Sequence, residues 1–373
     1  MIHPRTSRTL ALAAVATVAA AGALIPTTPT GAAPPPWTVV AKGLNNPRLL
    51  TISPTGIYVG EAGYGGSGPC HTGGDGSKAC YGTSGSITRV ANGRQGRILS
   101  GLPSFAATDG SSAIGPNMPM RSGRKMLISF GLDAPPAVKA ALPPKGRYMG
   151  SLTVATKRHG RWSHLKLLAN LAKFERLRDP DHLGKDSDPV GYLRRGKNIV
   201  IADAGANDVL SVKRRNGKVR VMAVFGNRNV ANPFGPGTVP MQTVPTATAI
   251  GPDGALYVSE LTGFPFVPGA ARIFRIAGGV GTVYARGLTN VTDLTWAAGK
   301  LYAVQISDVG LLNEPPNALP SGSLVQVHHG SNPTTVKDNL PAPYGVAVHN
   351  GSAYVTTCSV CKGGGQVVRF QLP

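Results

Sequence analysis

Polar residues recur at equivalent points of a short apolar pattern in this 373-residue sequence. Glu61 follows "IYVG", Asp203 follows "VIA" and Glu260 follows "LYVS", while Gln305 and Thr357 follow "YAV" and "YVT". Hard cations such as calcium take about six to eight oxygen ligands, from carboxylates and amides among other groups. The first four of these side chains could therefore form a calcium site, provided that the fold brings them together.

The elements that carry these residues belong to a repeat. Residues 244–288, "VPTATAIGPDGALYVSELTGFPFVPGAARIFRIAGGVGTVYARGL", read as four antiparallel strands joined by glycine-containing turns and one long loop. The same order recurs around "NPRLLTISPTGIYVGE", "DPVGYLRRGKNIVIAD", "NVTDLTWAAGKLYAVQIS" and "APYGVAVHNGSAYVTT", and a degenerate copy fits between Pro103 and Leu171. Six four-stranded units predict an all-β fold, a six-bladed β-propeller.

Two segments complete this prediction. "WTVVAKGLNNP" matches "GTVYARGLTNV" almost position for position, so residues 37–42 should supply the outer strand of the last blade. That arrangement closes the ring and seals the gap between the first and last blades. The segment from Phe174 to Asp188 fits no strand and is expected to be a long, functional connection with about one helical turn over one face.

In this architecture the polar column lies on the face where the long loops gather. A metal held by Glu61, Asp203 and Glu260 could polarise an ester carbonyl while a carboxylate activates water, as in propellers of the lactonase type. Asp293, on an innermost strand, could contribute a fourth carboxylate. The alternative, which we favour, is that each column residue accepts hydrogen bonds from its own loop. No Gly-x-Ser-x-Gly motif is present, so serine hydrolase chemistry has no support.

Four further residues are candidates for binding a ligand on the same face. "GFPFVPGA" places Phe264 and Phe266 in an extended loop, where they could form an apolar lip or pack on their own blade. "DAGANDVL" contains Asn207 and Asp208, which could contact a ligand or turn the loop by bonding to the nearby backbone.

The start of the chain predicts export. Arg5 and Arg8 precede an apolar run and then small residues and prolines, as in a secretory signal peptide. We assign residues 1–33 to the signal, with cleavage after Ala23 or near residues 32–33, and residues 34–373 to the propeller. After cleavage we expect a secreted protein without an integral membrane segment.

The four cysteines can be interpreted in two ways. Oxidation outside the cytoplasm favours two disulfides among Cys70, Cys80, Cys358 and Cys361, and four cysteines allow three pairings. In a propeller both pairs lie in equivalent loops of the neighbouring first and last blades. Zinc is the alternative cofactor, but only Cys358 and Cys361 have the short spacing usual for its ligand pairs.

Charge suggests the chemistry of a partner. The formal net charge is +21, which falls to +19 (21 − 2) once Arg5 and Arg8 are removed. Such a chain could bind an anionic polysaccharide or cell-wall polymer, or it could simply have a basic surface. We do not expect nucleic acid as the partner, because the protein is predicted to be exported, has few aromatic residues and contains no recognisable nucleic-acid-binding motif. We expect a monomer.

The sequence also resembles a known family. "GLNNPRLLTISPTGIYVGEAGYGGSGPC", "ADAGANDVLSV", "VPTATAIGPDGALYVSELTGFPFVPGAARIFR" and "GLTNVTDL" are similar to the ScyD/ScyE family of exported, NHL-like repeat proteins. The resemblance runs from Trp37 to the end of the sequence and implies a propeller and export, without implying an activity. Gln305 stands where a Glu is common in the family, and Asp188 where Ser-Asn-Pro is frequent.

Together these features predict a secreted propeller that binds an extracellular ligand through its loop-rich face without catalysis. The alternative prediction is a metal-dependent hydrolase of the lactonase type built on the acidic column.

Overall fold

Short apolar strands dominate the computed structural model, which describes residues 37–72 and 78–373. They form six antiparallel sheets, five with four strands and one with five, arranged as the blades of a β-propeller, so the predicted fold is confirmed. The predicted signal peptide lies outside the described residues. Within them, no helix is both long and apolar enough to cross a membrane.

The first three blades follow one another along the chain. Blade one contains β2 (Pro47–Ser53), β3 (Gly56–Glu61), β5 (Lys78–Ala91) and β6 (Arg94–Ala107), with β4 (Cys70–Thr72) added beside β5. Blade two contains β7 (Pro116–Ser122), β8 (Lys125–Phe130), β9 (Ser151–Arg158) and β10 (Arg161–Asn170). Blade three contains β11 (Pro189–Arg195), β12 (Asn198–Asp203), β13 (Asp208–Lys213) and β14 (Val219–Val224).

The last three blades complete the ring. Blade four contains β17 (Pro245–Ile250), β18 (Leu256–Glu260), β19 (Ala271–Ala277) and β20 (Val280–Leu288). Blade five contains β21 (Val291–Ala297), β22 (Lys300–Gln305), β23 (Ser321–Val327) and β24 (Thr334–Pro341). Blade six contains β25 (Val346–His349), β26 (Ser352–Thr357), β27 (Gly365–Gln371) and β1 (Thr38–Leu44).

Closure of the ring follows the sequence prediction. β1 pairs antiparallel with β27, with Thr38 opposite Arg369 and Leu44 opposite Gly365. Hydrophobic residues of β1, β2, β3 and β27 then form one buried cluster across the seam. The N-terminal strand thus seals the last blade against the first.

The core is divided into layers between neighbouring blades. Each of the six blade-to-blade interfaces has its own cluster of buried apolar side chains. Close approach of the blades requires small residues: a Cβ on Gly60 of β3 would lie 2.1 Å from the Asn117 carbonyl oxygen of blade two. Both faces of most strands are therefore packed, which holds the loops at the strand ends in fixed positions.

Several elements lie outside the repeat. β15 (Arg228–Ala231) and β16 (Thr238–Met241) form a hairpin between blades three and four that the sequence analysis missed. Short helices are α1 (Pro136–Ala140) and α2 (Leu171–Arg178), with 3₁₀ turns at Pro144–Tyr148 and Leu311–Asn313.

The segment expected to be a connection from Phe174 to Asp188 begins inside helix α2. The degenerate copy was predicted to reach Leu171, but its last strand, β10, ends at Asn170, because the Asn170 side chain accepts a hydrogen bond from Lys173 N at 2.9 Å and caps the helix. This helix is two turns long rather than the single turn expected.

The propeller has two distinct faces. We call the loop face the one formed by the connections after the second strand of each blade and by the connections between blades. The turn face, on the opposite side, carries the tight turns that join first to second and third to fourth strands.

Candidate functional site

The predicted polar column exists as a structural series. Each member closes the second strand of its blade and lies opposite the start of the first strand: Glu61 opposite Pro47, Asp203 opposite Pro189, Glu260 opposite Pro245. Glu61, Asp203 and Glu260 have no exposed surface, and Gln305 and Thr357 are also buried. Blade two has Phe130 at this point, so the series has no polar member there.

Two column carboxylates are held by arginines. Glu61 accepts hydrogen bonds from Arg97 Nη2 at 2.7 Å, Thr88 Oγ1 at 2.5 Å and Asn45 N at 2.8 Å. Glu260 forms ion pairs with Arg228 and with Arg272, the latter at 3.0 Å. These contacts occupy both oxygens of each carboxylate.

Asp203 and Gln305 make similar contacts with their own loops. Asp203 accepts hydrogen bonds from Ser187 Oγ at 2.7 Å and Asp188 N at 2.6 Å, while burial raises its pKa to about 6. Gln305 accepts from Thr289 N at 2.8 Å, and its amide nitrogen donates to Asp308 Oδ1 at 2.9 Å. For Glu61, Asp203 and Gln305, the backbone N–H that contacts the column residue belongs to the connection entering that blade.

The column therefore fastens loops, as the favoured interpretation predicts. Among residues 37–72 and 78–373, one group of three or more potential ligands has its donor atoms within 4.8 Å of one another, and it contains Glu175, Asp179 and Asp181. The column carboxylates do not form such a group. The hydrolase alternative consequently gains no geometric support from Glu61, Asp203, Glu260 and Gln305.

Asp293 lies in the central channel, as expected. The channel encloses about 410 Å³ and is lined by the innermost strand of every blade. The Asp293 carboxylate accepts hydrogen bonds from Leu294 N and Val346 N, each at 2.8 Å. Burial nevertheless raises the pKa of Asp293 to about 7. Its remaining surroundings in the channel are mainly apolar and include no second carboxylate among the described lining residues.

Phe264, considered above for an apolar lip or for packing on its own blade, is partly exposed on the loop face and contacts a second aromatic residue. Phe264 is 43% exposed and stacks on Phe234, which is 76% exposed, with ring centroids 6.0 Å apart. Phe234 lies between β15 and β16, a hairpin without an equivalent in the other repeats. Phe266 is partly buried, so it contributes less surface than Phe264.

Asn207 and Asp208 occupy the turn between β12 and β13. Asn207 adopts a left-handed conformation with φ of 47° and is buried. Its Oδ1 accepts from Val244 N at 3.0 Å, and its Nδ2 donates to Asp181 Oδ2 at 3.0 Å. Asp208 is buried as well. The pair joins the long connection to the neighbouring blade and exposes little surface to an external ligand.

The cysteines form two disulfides, Cys70–Cys80 and Cys358–Cys361. Cys70 and Cys80 lie opposite each other on β4 and β5, and the second bridge closes a tight turn after β26. Both bridges are local, so the pairing across the seam does not occur. A zinc site on these four sulfurs needs thiolates and is incompatible with this pairing.

A basic groove on the turn face was not recognised in the sequence. It encloses about 690 Å³ between blades two and three. Its lining contains several basic side chains and no acidic one among the described residues: Lys125, Arg194, Lys197, Lys213, Arg214 and Arg215. The signal was present in the pairs and triplets "RR" and "KRR", but only the fold shows that the turns carrying them are neighbours.

Charge in this groove is not neutralised by neighbouring side chains. None of the six basic residues forms a salt bridge within the described part of the chain. Arg194 Nε is buried without a hydrogen-bond partner. Burial and the nearby Arg214 lower the pKa of Arg194, against an opposing effect of Tyr192. The groove therefore has the positive potential and the unused donors that suit an anion.

Known proteins similar to this chain are found among solved structures. No protein-family model and no curated protein matches the chain. Solved propellers that are similar include the PQQ-bound aldose sugar dehydrogenase of Streptomyces coelicolor, with 12% identity and a TM-score of 0.48 over 90% of this chain and 97% of that one. The calcium-binding protein regucalcin from Agrobacterium tumefaciens has 11% identity and a TM-score of 0.49, over 90% of this chain and 94% of its own. A putative gluconolactonase has 12% identity and a TM-score of 0.41, over 70% and 79%. At such identities the similarity concerns the fold alone.

Proposed function

We propose that this protein is an exported propeller of the ScyD/ScyE type that binds a linear anionic polymer, without catalysis, in the groove between blades two and three. The observation that carries the proposal is the set of six unpaired basic residues around one concave surface. Acidic polysaccharides and phosphate-bearing cell-wall polymers are extracellular ligands with the complementary charge. The spacing of charges along such a polymer would allow several lysines and arginines to be engaged at once.

The location differs from the loop face that the sequence analysis favoured. On that face Arg97, Arg228 and Arg272 are already paired with buried carboxylates. The exposed stack of Phe234 and Phe264 offers an apolar contact there instead. These three arginines are therefore not available to an anionic ligand.

The proposal is tested with poly(glycerol phosphate) and polygalacturonate as probes and neutral dextran as the control polymer. We expect binding of one or both anionic polymers that weakens as salt is raised, because ions screen exposed charges beyond about 10 Å at 0.1 M. Dextran should not bind. Absence of binding to both anionic probes at low salt would contradict the proposal.

A matched pair of variants locates the site. Replacing Lys213, Arg214 and Arg215 by Gln should weaken binding at least about tenfold, equivalent to 1.4 kcal/mol. Neutralising the exposed Arg286, Lys300 and Arg369, which lie outside the groove, removes the same charge and should change affinity less than about twofold. Equal losses would show that diffuse charge is responsible.

Two further measurements separate this proposal from the alternatives. Phe264→Ser should keep the affinity for the anionic polymers, whereas loss of binding would return the site to the loop face. A lactone panel with and without calcium should show no hydrolysis above background. Hydrolysis abolished by Glu61→Gln would support the metal-dependent enzyme instead.

A further inference from the structure

Carboxylates are concentrated in one stretch of a strongly basic chain. Seven of the 17 acidic residues lie between positions 175 and 208, although the net charge is +21. They are Glu175, Asp179, Asp181, Asp186, Asp188, Asp203 and Asp208.

Three of these residues meet at the C-terminal end of helix α2. Glu175 lies in the last turn of the helix, Asp179 is its C-terminal cap with φ of 43°, and Asp181 follows two residues later. One carboxylate oxygen from each lies within 4.8 Å of the others. This spacing is short enough for all three oxygens to contact one ion.

The cluster contains buried oxygens without partners. Glu175 is 1% exposed, and neither of its carboxylate oxygens has a hydrogen bond. Asp179 Oδ1 is also without a partner. Nearby Asp208 has no exposed surface, and both of its oxygens are unpartnered. Asp181 alone is satisfied, since it accepts from Leu183 N and Asn207 Nδ2, both at 3.0 Å.

No ion pair to this cluster is formed by residues 37–72 and 78–373. Among the described residues, none of the salt bridges involves Glu175, Asp179, Asp181 or Asp208. The C-terminal end of a helix adds a partial negative charge of its own. Burial, with the charges of Asp203, Asp181, Asp179 and Asp186, raises the pKa of Glu175 to about 8. Burying so many unpaired carboxyl groups is costly unless a cation joins them.

We propose that Glu175, Asp179 and Asp181, with Asp208 beside them, bind a divalent metal ion, and that this ion is calcium. All the donors are oxygens, whereas zinc sites usually contain nitrogen or sulfur ligands from His or Cys, so the donor set favours calcium over zinc. Calcium accepts irregular sets of carboxylates and backbone carbonyls, whereas magnesium demands near-octahedral geometry and retains water. Carbonyls in the last turn of a helix lack intrahelical partners and are oxygen donors of the right kind.

The site would fasten the long connection to the propeller. Asp181 is already linked through Asn207 to Val244 N, which precedes blade four. An ion bound at Glu175, Asp179 and Asp181 would thus tie helix α2 to the turn between β12 and β13. It lies on the loop face, opposite the basic groove, so this inference is independent of the proposed polymer binding.

The test measures calcium on the purified secreted chain. After dialysis against calcium-free buffer, elemental mass spectrometry should find about one calcium per chain at pH 7.5, and a chelator should remove it. Returning calcium at 100-fold above its dissociation constant should raise the Tm by about 4 °C, whereas magnesium should do much less. A chelated protein whose Tm and metal content do not respond to millimolar calcium would overturn the proposal and leave these groups as protonated carboxyls.

Variants distinguish this site from the central column. Glu175→Gln and Asp179→Asn should abolish the calcium response while leaving the chelated protein folded, because each replaces a carboxyl group without an ion-pair partner by an amide of the same shape, and Asn tolerates the left-handed cap. Asp338→Asn, at a side chain that is 65% exposed, serves as the control and should respond like the wild type. Calcium binding retained by both cluster variants, or lost on Glu61→Gln instead, would place the ion elsewhere and refute the assignment.

Discussion

Exchanging the polar groups of neighbouring blades tests the role of the column directly. Glu260 and Gln305 occupy equivalent positions in blades four and five, but their partners are opposite in charge. Glu260 contacts Arg228 and Arg272, whereas the Gln305 amide contacts Asp308. We predict that Glu260→Gln and Gln305→Glu both destabilise the fold, although each introduces a residue that the other blade accepts.

The magnitude follows from burial of the partners. Removing one member of a buried ion pair costs about 3 to 5 kcal/mol. Arg228 and Arg272 retain 24% and 17% exposure, and Arg228 Nη2 keeps its hydrogen bond to the Ala270 carbonyl at 2.6 Å. We therefore expect the lower value, about 3 kcal/mol, for Glu260→Gln. With an unfolding entropy of about 2.1 cal/mol/K per residue, this lowers the Tm by about 4 °C.

The reverse substitution places two carboxylates together. In Gln305→Glu the new oxygen would replace the nitrogen that lies 2.9 Å from Asp308 Oδ1. Repulsion should destabilise the protein at pH 8 and less at pH 5, where the two groups can share a proton. Thermal and urea unfolding measure both variants, with Asp338→Asn as the exposed control. Stabilities within about 0.5 kcal/mol of wild type for both variants would refute the fastening role of the column.

Three further predictions concern single features. The raised pKa of Asp293 means that the folded state keeps its proton between about pH 4 and pH 7, so stability should fall as pH rises through this window, by on the order of 4 kcal/mol; Asp293→Asn should flatten the urea-unfolding profile, and an unchanged profile would contradict the assignment. Replacing Cys70 and Cys80 together by Ser should cost about 2 to 3 kcal/mol in the chain-entropy view, and thiol titration of the denatured wild type should find no free thiol. Gly60→Ala should lower stability by about 1 to 3 kcal/mol because the new methyl would meet the Asn117 carbonyl, whereas Gly96→Ala, on β6 with open space around it, should cost less.

The repeat explains which parts of this protein could be predicted from sequence. Each blade buries the same kinds of residues at the same points, so one well-formed unit, residues 244–288, identifies the others. The seam could be predicted for the same reason, since residues 37–42 copy the outer strand of another blade. Positions of the column residues followed directly, and their loop-fastening contacts agree with the favoured interpretation.

Residues outside the repeat could not be placed in this way. The pairing of Phe234 with Phe264 depends on a hairpin that no other blade contains. The basic groove is likewise formed by turns of two blades, which are distant in the sequence but adjacent in the fold. Such sites are formed by residues that are far apart in the sequence and close in the fold. The periodicity of the strands does not show which of these residues come together.

Blade three shows how the two proposals relate to one another. Its turn face carries Arg194 and Lys213 in the basic groove, and its loop face carries Asp203 and Asp208 beside the acidic cluster. The strands between them are short and fully packed, so the two charge sets are held apart at opposite ends of the same sheet. A divalent cation can then bind at one end while the other end remains free for an anionic polymer, and each site can be removed by substitution without loss of the other.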